Sequence, residues 1–153
     1  MIEKIKGLLD GFDIMKILPE MESFLGHVQP VLRFAVLIGP VCLLILGLMY
    51  LLVPTREANR HFGYRCFYGM GSQNAWKMTQ RIVGVVWTAM GIIMIVVMTL
   101  FSAKFATAEV SDAVAKAIRY VLWEIGLIAL SCIAVDITMA VLYDRNGNRR
   151  GKK

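Results

Sequence analysis

Two carboxylates stand where a carboxylate is expensive. Glu124 and Asp136 both fall inside the run 120–143, YVLWEIGLIALSCIAVDITMAVLY, which is otherwise nearly free of charge. An acidic side chain at the centre of a membrane-crossing helix costs about 2.5–3.5 kcal/mol on insertion scales, so Asp136, the nearer of the two to the midpoint on its cytoplasmic side, must be protonated, hydrated or paired. Twelve residues separate them, roughly 18 Å along a helix and about a third of a turn around it, too far for a catalytic carboxyl pair. Asp136 lies toward the C-terminal end of its run, and two readings stay open: a proton or ligand site, or a structural ion pair or hydrogen bond. Arg65 and Arg81 are the cations that would reach it if the preceding loop folds back. Glu124, about one turn from the other end, is expected in an interfacial salt bridge with Lys104 or Arg119.

The remaining reactive side chains sit in the stretch NRHFGYRCFYGMGSQNAWKMTQR, residues 59–81. His61 and Cys66 share it, and Glu57 is the acid close enough in sequence to orient the histidine, but no oxyanion arrangement accompanies them. Gly63, Gly69 and Gly71 lack the strand before and the Lys-Ser/Thr after that a phosphate loop needs. Cys42, Cys66 and Cys132 lie in separate segments, which fits neither a disulfide framework nor a zinc site. These residues therefore point away from nucleophilic catalysis, a phosphate loop or a metal site.

The elements that must position them are membrane helices. Of 153 residues 58% are hydrophobic and only 18% charged, against about a quarter charged in a soluble domain, and the mean hydropathy is +0.62. Three runs are long enough to cross roughly 30 Å of hydrocarbon: about 34–53, 82–103 and 120–143. The predicted fold class is an all-α integral membrane bundle of three transmembrane helices with an N-terminal amphipathic interfacial helix. It divides into an extracytoplasmic segment 1–30, a membrane domain 31–143 and a basic tail 144–153. No secretory signal is read at the N-terminus, because the first apolar run starts late and is long.

Charge sets the orientation. The 54–81 loop carries Arg56, Arg60, Arg65, Lys77 and Arg81, and the tail carries Arg145, Arg149, Arg150, Lys152 and Lys153. Both go to the cytoplasm by the positive-inside rule, and three spans put them on the same side. The N-terminus and the 104–119 connection then lie outside, with Phe34, Phe101, Tyr120 and Trp123 as the outer aromatic belt and Tyr50, Trp76 and Tyr143 as the inner one. The net charge of +6 reads as topology and contact with anionic lipid, not nucleic acid.

Residues 2–18 place Ile5, Leu8, Leu9, Phe12 and Met15 on one helical face, to lie on the membrane surface or against a partner, with Pro19 as the limit. Pro30 and Pro54 bracket the first span and Pro40 falls inside it. Gly39 and Gly47 notch roughly the same side of that span, and Gly84, Thr88 and Gly91 form a small-residue stripe on the second; both read as helix-packing positions. Ser72 is the expected N-cap of the second helix, with Trp76, Gln80, Val83 and Trp87 along one side, and Ser111 the expected cap before the third span. The last residues, RNGNRRGKK, are expected to be mobile.

The loop also resembles the bacterial SdpI-like family, small membrane proteins named for an immunity protein. The shared pattern is Asn59, then Gly63-Tyr64-Arg65, Met70, Ser72, Trp76 and Gln80, and the resemblance spans roughly 34–143. Cys66 stands where the family usually has Thr, Phe67 and Tyr68 where basic residues are common, and Gly69 where Ser is usual. The resemblance implies protection against a toxin or antimicrobial peptide, together with retention of a repressor at the membrane in the best-understood member. It marks Asn59, Gly63, Tyr64, Arg65 and Trp76 as a binding or fold-defining loop that would contact a lipid phosphate, a peptide carboxylate or a cytosolic regulator. The leading expectation is a non-enzymatic, multi-pass protein of the bacterial cytoplasmic membrane that acts by binding and associates with itself as a homo-oligomer. The alternatives are a structural or regulatory subunit of a larger membrane assembly, suggested by the small-residue positions on the spans and by the outer helix, and an oligomeric proton-coupled transporter or channel lined by Asp136.

Overall fold

In the computed structural model, residues 14–53 and 63–150 are described, with side chains in the first helix from His27 onward. Three long helices dominate: α1 Ile14–Leu52, α2 Gln73–Ser102 and α3 Val110–Leu142. A 3₁₀ turn, Tyr68–Met70, precedes α2, and a second, Ala103–Thr107, joins α2 to α3. The helical stretches His27–Leu52, Gln73–Thr107 and Val110–Leu142 are each long and apolar enough to cross a membrane. The protein is thus an all-α, multi-pass membrane protein.

The helices pack inside out relative to a soluble bundle. Large apolar side chains point outward, among them Phe34 at 71% and Ile137 at 59% exposure, as a hydrocarbon solvent requires. With no hydrophobic drive between helices in lipid, close backbone approach holds them together. α1 packs most extensively on α2, and the small residues sit at that crossing. A β-carbon on Gly47 would stand 2.5 Å from the Thr88 amide nitrogen, one on Gly91 2.8 Å from the Leu44 nitrogen, and one on Gly84 2.8 Å from the Leu51 side chain. Gly39 and Gly47, expected on one side of α1, serve different neighbours. Eight residues turn a helix by about 80° beyond two full turns, so Gly47 faces α2 while Gly39 meets Glu124 of α3.

Two apolar clusters fill the ends of the bundle. One gathers Leu43, Val83, Trp87, Met94, Val135 and Met139; the other joins Val36, Met98, Phe105, Ala113 and Ala117, with Tyr120 stacked on Phe105 at 5.9 Å. Gln29 of α1 ties to the same end by donating from Nε2 to the Ala108 carbonyl at 3.1 Å.

Pro19 and Pro30 as helix limits, the Ser111 cap and the inner aromatic belt are the expectations that change. α1 runs unbroken through Pro19, Pro30 and Pro40; proline is tolerated inside membrane helices because neighbouring groups can re-satisfy the carbonyl it frees. The amphipathic segment before Ile14, and Pro54, lie outside the described residues. Ser72 does cap α2, its Oγ accepting from the Ala75 N–H at 3.2 Å, but α3 starts at Val110 after Glu109, with no side-chain cap at Ser111. Trp76 and Tyr143, expected in an aromatic belt, are buried at 1% and 7% exposure, because the Gly63 turn lies against the Trp76 ring and the tail folds back to pair Arg149 with Tyr143.

Candidate functional site

The loop before α2 is a built structure from Gly63 onward. Gly63 has φ +127°, and a β-carbon there would collide with the Trp76 ring, so this turn excludes a side chain both by backbone region and by space. The next residue is gripped by α2. Gln80, 4% exposed, donates from Nε2 to the Tyr64 carbonyl at 2.8 Å and accepts from the Tyr64 N–H at 2.9 Å through Oε1. One amide side chain thus satisfies both backbone groups of Tyr64, as a neighbouring strand would.

So held, the Tyr64 side chain crosses to α3. Its hydroxyl stands 3.0 Å from Asp136 Oδ1 and 3.2 Å from the Cys132 carbonyl, donating between them. Burial, and next the Asp136 hydrogen bond, push the phenol above its usual pKa, so Tyr64 is a neutral donor. Its ring packs edge-on against Trp87 at 5.8 Å, Tyr50 flanks the same indole at 5.7 Å, and Trp87 Nε1 donates to Ser131 Oγ at 3.1 Å. Tyr50, Tyr64 and Trp87 together stitch all three helices at one end of the bundle. Arg65 follows on the exposed side of the turn, and Cys66 turns inward at 5% exposure. The Cys66 sulfur accepts from the Gly69 N–H at 3.2 Å, and burial pushes its thiol up, the reverse of what a nucleophilic thiolate needs.

The C-terminal residues dock onto this loop instead of trailing away. Asp144 caps a turn, its carboxylate accepting from the Asn146 and Asn148 N–H groups at 2.9 and 2.7 Å; these bonds hold its pKa below the usual carboxylate range. Gly147, at φ +75°, lies against Gly71 and Ser72, and Ser72 Oγ donates to the Gly147 carbonyl at 2.7 Å. Tyr143 pairs with Arg149 in an isolated antiparallel bridge. Ser72 therefore serves both the α2 N-terminus and the tail. Beside this junction opens a groove of about 310 Å³ lined by Asn74, Lys77, Met78, Arg81 and Tyr143. Two cations on one wall, with amide and phenol groups nearby, suit an anionic group.

The two acidic residues fare differently: Asp136 makes a hydrogen bond, which was among the readings left open for it, and Glu124 lacks the salt bridge expected of it. Asp136 is on an exposed face of α3 and accepts a hydrogen bond from the Tyr64 hydroxyl. Glu124 is buried at 3% exposure and forms no salt bridge with Lys104 or Arg119: Lys104 is exposed, and Arg119 Nε turns to the Ala115 carbonyl at 3.4 Å. Glu124 points into the α1–α3 contact, where those long cationic side chains would have to leave water to reach it. The structure brings Gly63, Tyr64, Trp76 and Asp136 together; Asn59, Glu57 and His61 lie outside the described residues. Sequence reasoning missed the clamp by Gln80 and the docked tail. The Asp144-Arg-Asn-Gly147 run carried a turn signal that could have found the latter.

Fold and site define a multi-pass helical membrane protein with a clamped aromatic turn and a cationic groove at one end of the bundle. Residues 56–142 match the SdpI/YfhL protein family, more than half of the chain, and the chain belongs to that family. The match begins after α1, so it covers the loop and the second and third helices and leaves out the first span, which the resemblance had been expected to include. No curated protein and no solved structure matches the chain.

Proposed function

We propose that this is a non-enzymatic SdpI-like protein that acts by binding in membrane defence, protecting the cell that carries it against a toxin or antimicrobial peptide. The observation that carries the reading is the groove beside the clamped turn, where Lys77 and Arg81 line about 310 Å³ next to Tyr143 and Asn74. Its ligand is an anionic group, a peptide carboxylate or a lipid phosphate, at the membrane surface. The loop end and the docked tail concentrate basic residues, Arg65, Lys77, Arg81, Arg145, Arg149 and Arg150, which supports a cytoplasmic position for this end and an outside N-terminus. In this reading Tyr64, Gln80 and Trp76 hold the turn, and Arg65 and the groove cations meet the ligand.

The test is survival of a sensitive bacterium expressing the full chain under challenge with a panel of membrane-active peptide toxins. Protection should be lost in Lys77→Ala/Arg81→Ala and in Arg65→Ala while the protein still reaches the membrane in normal amount. Full protection by these variants, or none by the wild type, counts against the reading. The small-residue support for the assembly-subunit reading weakens, because Gly47, Gly84, Thr88 and Gly91 already serve the α1–α2 crossing; its other support, the outer helix, lies outside the described residues. The channel reading loses ground too, because Tyr64 already occupies Asp136.

A further inference from the structure

Glu124 is the polar group that the binding site does not use. It is 3% exposed, its Oε1 is buried without a hydrogen-bond partner, and its Oε2 presses on α1 so closely that a β-carbon on Gly39 would stand 2.6 Å away. Gly39 is thus the place where α1 makes room for this carboxyl. The next residue, Pro40, is fully buried and has no N–H, so the Val36 carbonyl one turn earlier is left without its helical donor. Glu124 Oε1 is a buried acceptor with no donor beside it, and what it lacks is a hydrogen.

Among the described residues, no neighbouring charge forms a salt bridge with Glu124. On α1 the titratable groups on either side of Gly39 are Arg33 and Cys42; α2 has none between Ile82 and Ser102; on α3 the nearest are Arg119, Tyr120 and Cys132. Arg119 bonds to its own helix through the Ala115 carbonyl, Cys42 is exposed, and Tyr120 packs between Phe101 and Phe105. A carboxylate taken out of water without a counter-ion is among the costliest arrangements in a bundle, whereas a carboxylic acid is a neutral hydrogen-bond donor.

We propose that Glu124 is a proton-binding site inside the bundle: the bound proton makes it a neutral donor that closes α1 on α3 at Gly39, and release of that proton to water loosens this seam. The site lies near the middle of α3, about 21 Å from its start at Val110 and about 18 Å from Asp136, and does not depend on what the groove binds.

The experiment uses the full-length protein in lipid nanodiscs and the apolar reagent dicyclohexylcarbodiimide. A protonated carboxyl gives its proton to a carbodiimide nitrogen while its oxygen adds to the central carbon; the acyl group then migrates to nitrogen, leaving a stable N-acylurea that retains the whole reagent mass. Peptide mapping should place the adduct on Glu124, Glu124→Gln should lose it, and the yield should fall about tenfold per pH unit above the titration midpoint. A water-soluble carbodiimide should instead mark Glu109 and Asp112. In parallel, an infrared difference spectrum of wild type minus Glu124→Gln should contain the carbonyl band of one protonated carboxyl that disappears at high pH. Glu124→Gln, which keeps the shape and neutrality, should match the wild type in helix content at neutral pH. The proposal is overturned if neither adduct nor band is found at acidic pH, if the water-soluble reagent marks Glu124 equally well, or if sodium ion protects Glu124 at constant pH, which would make a metal cation its ligand.

Discussion

Replacing Gln80 by leucine should release the turn that organises the loop end. Two hydrogen bonds disappear together, Nε2 to the Tyr64 carbonyl at 2.8 Å and the Tyr64 N–H to Oε1 at 2.9 Å, while side-chain volume is roughly kept. A buried backbone group left without a partner costs about 1–3 kcal/mol. Tyr64 is only half-buried, so water can recover part of the loss, and leucine adds some apolar burial. A net destabilisation of about 2–3 kcal/mol follows, equivalent to roughly a 30- to 150-fold rise in the unfolded fraction. The assay is reversible unfolding in mixed micelles by titration with sodium dodecyl sulfate, followed by helical circular dichroism, together with hydrogen exchange at the Tyr64 amide. Gln73→Leu, at an exposed position at the start of α2, should stay within about 0.5 kcal/mol. If Gln80→Leu also stays within that margin and the Tyr64 amide exchanges no faster, the clamp does not hold the turn and the account of this site fails.

Two further outcomes are expected. Gly91→Leu must push α1 and α2 apart, since the β-carbon alone would stand 2.8–2.9 Å from the backbone of Leu44; overpacking of this kind costs about 1–3 kcal/mol, and unchanged unfolding in the same titration would refute the tight crossing. The docked tail should be sensitive to acid: its hydrogen bonds hold the Asp144 pKa down, so its contribution is complete above the ordinary carboxylate value of about 3.9 and is lost as pH falls through the lower folded value. Amide chemical shifts of Asn146 and Asn148 followed against pH should show this transition, and Asp144→Asn should abolish it.

The membrane class, the three helices and the Ser72 cap were all legible from the chain, because uninterrupted apolar length and cap chemistry are local properties that act before any helix meets another. Family membership was legible too, through Gly63-Tyr64-Arg65 and Trp76, since a turn with a left-handed glycine against an indole tolerates few residues. The fates of the two acidic residues were not. Depth in a run is a one-dimensional quantity, and on that scale Asp136 looked buried and Glu124 interfacial. In three dimensions Asp136 sits on an outward face within reach of Tyr64, while Glu124 turns into the contact at Gly39, because rotation of α3 about its axis is set by packing against α1 and α2. The docking of Gly147 on Gly71 and the grip of Gln80 on Tyr64 likewise join residues 76 and 16 positions apart. Local pattern dictates that such residues form turns or helices; which of them meet depends on how three helices pack, and that packing decides which polar groups find partners and which, like Glu124, must find a proton.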